Sequence, residues 1–151
     1  MANRKMILLV EDNQDDEELT LRALRKNNIV NEVVVARTGE EAVDLLFGTG
    51  QHAGQSLGDL PQIILLDLNL PKMSGLDVLR RVRSDERTRL LPAVVLTSSR
   101  EDEDIINSYS LGANSYVRKP VDFVQFTEAV KTLGLFWLVL NEMPSRKPGA
   151  T

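Results

Sequence analysis

The 151-residue chain has no cysteine and a single histidine, His52. Without cysteine there is no disulfide framework, no thiol nucleophile and no thiolate metal site. One imidazole excludes every metal site that needs two. His52 lies in a Gly-rich stretch with no helical pattern around it, so it reads as a surface residue and a poor phosphoryl carrier. Long apolar runs are missing too: no segment reaches the ~18 consecutive apolar residues of a membrane span. Glu11 and Asp12 interrupt the first apolar run too early for a secretory signal, so a cytoplasmic protein with no membrane partner is expected. The net charge is -4, which gives no electrostatic reason to expect nucleic acid.

What is present is ordinary globular material, 42% apolar and 26% charged. At this length one domain is expected, hiding roughly two-thirds of its unfolded surface. The available chemistry is that of carboxylates, hydroxyls and lysines.

Along the chain, apolar runs alternate with amphipathic segments. Lys5–Val10 reads as a strand buried on both faces and ends in Glu11-Asp12. Asp15–Asn28 follows with four acids first and Arg22, Arg25 and Lys26 later, which suits a helix dipole, with Leu19, Ala23 and Leu24 as its inner face. Val33–Ala36 is a second strand, and Thr38-Gly39-Glu40-Glu41 opens a helix through Phe47. Gly48–Pro61 reads as a long loop. Gln62–Asp67 is a third strand, followed by a helix through Val78, Leu79 and Val82. Pro92–Thr97 is a fourth strand, and the helix after it runs to about Leu111, stopped by Gly112. Ser115–Arg118 is a fifth strand, and Val121 to about Leu140 is the last helix. Five β-α repeats predict an α/β fold, a doubly wound parallel sheet of five strands covered by five helices. Residues 1–140 are expected to form the domain, with 141–151 a flexible tail.

In such a sheet the ligand site lies beyond the carboxyl ends of the strands. Those ends carry Glu11 and Asp12, then Asp67, then Thr97 and Ser98, then Lys119. Three carboxylates cannot comfortably all ionise together: one pair at ~4 Å costs about 4 kcal/mol at an effective dielectric of 20. Either one acid keeps its proton or a hard cation neutralises the cluster. Oxygen-only ligands favour Mg²⁺, with Mn²⁺ or Ca²⁺ able to substitute. Asp12 and Asp67 are expected on the metal, Glu11 on a metal-bound water, and the Asn69 backbone carbonyl completes the protein ligands. Lys119 would be wasted beside a cluster that only held a metal. A metal, an ammonium and the Thr97 hydroxyl converging on one carboxylate suit phosphoryl transfer to that carboxylate.

Four stretches then carry a resemblance. Ile7–Asn13 (ILLVEDN), Leu65–Gly75 (LLDLNLPKMSG), Val94–Ser99 (VVLTSS) and Tyr116–Pro120 (YVRKP) resemble the marks of a receiver domain of two-component response regulators, over about residues 4–132. The resemblance implies the flavodoxin-like receiver fold and a histidine kinase as phosphoryl donor to Asp67. It implies Mg²⁺ on the acidic pair, Thr97 as switch hydroxyl, Tyr116 as its aromatic partner, Lys119 on the phosphoryl group and a cis peptide before Pro120. Asn69 and Ser99 match positions that tune loss of the phosphoryl group. The long stretch Phe47–Pro61, together with Asp67–Pro71 (DLNLP) and the ending Phe136–Pro144, is similar to stand-alone regulators that serve phytochrome-type histidine kinases.

After residue 140 too little chain follows for an output domain, so the phosphorylated state is expected to act through a surface or a dimer. In the last helix Phe126, Val130, Leu133, Trp137 and Leu140 make the intramolecular stripe, while Leu135, Phe136, Leu138 and Val139 point elsewhere. A helix apolar all round should be buried all round, which predicts a twofold homodimer through those four residues. The alternative is that the helix folds back over its own domain. Two other functions compete with the switch. A phosphatase resembling the haloacid dehalogenases wants an acid two residues after the nucleophile, where this chain has Asn69. A receiver-like scaffold that never takes phosphate would have no use for the intact set Glu11, Asp12, Asp67, Thr97 and Lys119.

Overall fold

The computed structural model describes residues 6–26, 32–49, 60–97, 107, 109–119, 124, 125 and 128. Its elements are β1 (Met6–Val10), α1 (Gln14–Lys26), β2 (Glu32–Ala36), α2 (Gly39–Phe47), β3 (Ile63–Asp67), α3 (Gly75–Arg83), β4 (Ala93–Thr97) and β5 (Ser115–Arg118). Asn107, Tyr109 and Ser110 are helical, as are Val124, Gln125 and Glu128. These fall inside the two remaining helices expected from the sequence, whose full extents lie outside the described residues. So do Ser98, Ser99, Pro120, His52, the dimer residues Leu135, Phe136, Leu138 and Val139, and the tail 141–151.

The five strands form one parallel sheet in the order β2-β1-β3-β4-β5. Every residue of β1 and β3 is buried, as continuous apolar strands covered on both faces must be. The two-residue period then sorts side chains between two cores. Leu8, Val10, Ile64, Leu66, Ala93 and Val95 pack with α2 and α3 through Ala42, Leu45, Leu46, Val78, Leu79 and Val82. Ile7, Leu9, Ile63, Leu65, Val94 and Leu96 pack on the other face with Leu24 of α1. Among the described residues no helix is long and apolar enough to cross a membrane.

One helix face departs from expectation. Leu19 is 43% exposed, and the buried positions of α1 are Glu17, Thr20 and Leu24, with Leu21 packed beside them. These fall at i, i+3, i+4 and i+7, a stripe turned away from Leu19. Apolar identity pointed to Leu19 because two buried places on the true stripe hold polar residues; Glu17 keeps its charge partnered by Arg37, 3.0 Å away.

The chain runs outward from β1 in both directions, to β2 on one side and β3 on the other. The strand order therefore reverses between β1 and β3, and the crevice beyond their carboxyl ends is where ligands bind in open α/β sheets.

Candidate functional site

Sheet hydrogen bonds hold the acids at that crevice in place. The Glu11 N–H donates to the Ala36 carbonyl at 2.9 Å, extending the β1–β2 ladder one residue past Val10. The Leu68 N–H donates to the Leu96 carbonyl at 3.1 Å and does the same for Asp67 at the end of β3. α3 then starts almost on top of the strand end. The Gly75 N–H donates to the Leu68 carbonyl at 3.1 Å, and a Cβ at Gly75 would clash with the Asp67 carbonyl oxygen and lie 2.8 Å from Leu68 Cα. Only glycine permits that approach. Ser74 and Asp77 close a reciprocal capping box at 3.2 Å each way, which fixes where the helix begins.

Glu11, Asp12 and Asp67 each offer a carboxylate oxygen, and the three lie within 4.8 Å of one another. Glu11 and Asp67 are buried, whereas Asp12 is exposed. Lys119, the residue after β5, reaches into the same place with its side chain only 11% exposed. Its Nζ is 2.8 Å from Glu11 Oε1, 3.0 Å from Asp16 Oδ2 and 3.2 Å from Asp67 Oδ2. Nζ also donates to Glu11 Oε2 at 3.1 Å. Oε1 is thus in ion-pair contact with the ammonium but lacks a hydrogen bond of good geometry. The other oxygen of Asp67, Oδ1, accepts the Asn69 N–H at 3.1 Å.

The electrostatics follow from burial. Desolvation raises the Glu11 carboxyl to about 7, with the Asp67 carboxylate adding to the rise and Lys119 opposing it. Burial also works against the charged form of Lys119. The carboxylates of Glu11, Asp67 and Asp16 outweigh it, and its pKa lies above the ordinary lysine value.

The crevice fits a hard divalent cation. Its donors are all oxygen, the exposed Asp12 leaves a side open to water, and Glu11 Oε1 is a buried acceptor without a hydrogen bond. The structure therefore brings together Glu11, Asp12, Asp67 and Lys119, four residues expected at the strand ends. Thr97 ends β4 opposite Arg118 of β5, on the same edge, though its side chain lies outside what is described. Tyr116 sits on β5 with its ring edge-on to Tyr109, centroids 5.7 Å apart. Asp16 was not anticipated. It sits in the first turn of α1, where an acid reads as a partner of the helix dipole, and nothing local in the sequence announces a contact with Lys119.

A doubly wound parallel sheet with acids and a lysine gathered at its switch point suits a phosphoryl-accepting switch. The chain matches the response regulator receiver domain family over residues 7–131. The response regulator Rcp1 of Synechocystis sp. is 35% identical over 141 residues, 93% of this chain and 94% of that protein. The solved structure of the bacteriophytochrome response regulator AtBRR is 51% identical and covers 90% of this chain and 96% of its own, with a TM-score of 0.81. The bacteriophytochrome response regulator RtBRR is also 51% identical, covers 98% of this chain and 87% of its own, and has the same TM-score. The Mn²⁺-bound form of Rcp1 matches with a TM-score of 0.73 over 93% of this chain and 99% of its own. The chain belongs to the response regulator receiver domain family. Receiver domains take phosphoryl groups from histidine kinases, bind a divalent metal and lose the phosphoryl group by their own activity.

Proposed function

We propose that Asp67 is the phosphoryl acceptor, that Glu11 and Asp12 with Asp67 and the Asn69 carbonyl hold Mg²⁺, and that Lys119 and the Thr97 hydroxyl, with Ser98 beside it, receive the phosphoryl oxygens. The observation that carries this reading is the placement of Lys119 Nζ within 3.2 Å of both Glu11 and Asp67, beside the exposed Asp12. A bound cation would neutralise phosphoryl oxygens next to carboxylates that would otherwise repel them. An Asp67 oxygen attacks phosphorus, the P–N bond to the donor imidazole breaks, and the imidazole leaves with the electron pair. Burial excludes water from Asp67, and Lys119 offsets charge on the transferred group. The chain catalyses its own phosphorylation and loss of phosphate rather than turning over a substrate. Thr97 and Tyr116 carry the change outward, with a cis peptide before Pro120 aiming Lys119.

The donor on this reading is a phytochrome-type histidine kinase, supported by the 51% identity to two bacteriophytochrome response regulators. Assembly on this reading is a homodimer through Leu135, Phe136, Leu138 and Val139, four apolar residues that fall off the sequence stripe of Phe126, Val130, Leu133, Trp137 and Leu140. Sedimentation of a chain carrying Phe136→Glu and Leu138→Glu tests this; unchanged mass in solution would remove those residues from the interface.

The acceptor assignment is tested by incubation with acetyl phosphate and Mg²⁺, followed by intact-mass measurement. The expected result is a labile gain of one phosphoryl group, absent in Asp67→Asn and absent with a chelator. An adduct that survives in Asp67→Asn would place the chemistry elsewhere.

A further inference from the structure

An ammonium has three N–H donors, and Lys119 has three carboxylates within reach: Glu11, Asp67 and Asp16. On the function proposed above two of them would have a second partner. Asp67 would turn one oxygen into the bridging oxygen of an acyl phosphate, and Glu11 would help hold the divalent cation. Asp16 is not one of the carboxylates that converge on the cation site. It is the partner the reaction leaves untouched.

Its placement is built rather than incidental. Asn13 precedes α1, and its Oδ1 accepts the Asp16 N–H at 2.9 Å, which caps the helix and fixes the third residue of its first turn. From there the Asp16 carboxylate meets a lysine 103 positions later in the chain, with Nζ donating to Oδ2 at 3.0 Å. The side chain is 34% exposed, so it neither fills the core nor needs an ion pair to be tolerated. Asp15 and Glu17 already put negative charge in the same helical turn, so the dipole does not depend on Asp16.

We infer that Asp16 is a positioning residue for phosphoryl transfer: its carboxylate keeps the Lys119 ammonium directed at Asp67 after Glu11 and Asp67 have been engaged by the metal and the phosphoryl group. This rests on the assignment of Asp67 and Lys119 made above. Without the tether Lys119 remains charged but samples other rotamers, so fewer encounters with the donor find it beside the attacked phosphorus.

The test is a double-mutant cycle on the full chain, with acetyl phosphate at saturating Mg²⁺. In the step measured, the bond from phosphorus to the acetyl oxygen breaks, the bond from Asp67 to phosphorus forms, and acetate leaves with the electron pair. Asp16→Asn is expected to slow phosphorylation about tenfold, the low end for losing one charge-assisted hydrogen bond. Asp16→Glu should recover part of that rate. In a Lys119→Ala background Asp16→Asn should have no further effect. Should Asp16→Asn fold poorly, Asp16→Ser replaces it. Where rates fall below detection, the same cycle is read through affinity for beryllium trifluoride, a mimic of aspartyl phosphate. A wild-type rate in Asp16→Asn, or an equal loss with and without Lys119, overturns the inference. Failure of the underlying assignment looks different, because wild type would then take up no phosphoryl group or Asp67→Asn would still take one.

Discussion

Replacing Lys119 with methionine keeps the unbranched stem, one atom shorter, and removes the charge that Glu11, Asp16 and Asp67 share. Glu11 is fully buried and Asp67 nearly so. Removing one partner of a buried ion pair costs about 3–5 kcal/mol. Proton uptake limits that cost, and this gives the prediction its pH signature. In the wild type the folded Glu11 carboxyl titrates at about 7 against an ordinary value of 4.5. The folded state thus holds this proton more tightly than the unfolded chain. The stability this confers is fully present below pH 4.5 and is lost as pH rises through 7, a fall on the order of 3 kcal/mol. Lys119 works to lower the Glu11 value. Without it Glu11 titrates above 7, and stability goes on falling where the wild type has levelled off. The deficit of Lys119→Met relative to wild type should therefore grow by about 1.4 kcal/mol per pH unit above neutrality until Glu11 ionises. Urea unfolding at several pH values, with and without Mg²⁺, measures it. Mg²⁺ should narrow the gap, because a cation bound only by the folded state replaces the missing charge. A deficit that is flat or shrinking between about pH 6 and pH 8 would refute the reasoning, since it would mean that Glu11 is not held by Lys119.

The same carboxyl controls metal binding. Mg²⁺ affinity by calorimetry should rise as pH climbs toward 7, by up to about tenfold per unit, and flatten above it as Glu11 becomes ionised; an affinity constant across that range would exclude Glu11 from the cation's surroundings. Gly75→Ala puts a methyl group against the Asp67 carbonyl oxygen and Leu68 Cα. It should cost at least about 1–3 kcal/mol in urea unfolding and slow acetyl phosphate labelling by displacing the end of β3. Normal labelling in a destabilised Gly75→Ala chain would separate the helix start from the acceptor geometry.

Much of this was legible along the chain. Two apolar runs, Ile7–Val10 and Ile63–Leu66, are each stopped by acids, and runs that short, rich in Ile, Leu and Val, suit a strand buried on both faces. Alternation with helical segments makes the sheet parallel, which sends Glu11, Asp12, Asp67 and Lys119 to one edge without knowledge of the strand order. That order needed the tertiary structure, because β1 looks the same from sequence whether it pairs with β2, with β3 or with both. Leu19 misled for a physical reason: burial on α1 follows geometry, and two inner places are held by Thr20 and by Glu17, whose carboxylate pairs with Arg37.

By itself, then, the order of residues determined the fold class and which charged groups share an edge, because the two-residue period of strands and the parallel direction of the sheet leave few other outcomes. Only the folded chain decided how those charges divide among themselves. The raised Glu11 carboxyl depends on how completely burial strips it of water, and the Asp16 carboxylate meets Lys119 only because α1 and the end of β5 converge over the same crevice. Solvent exclusion and long-range contact are properties of packing, and no local pattern encodes them.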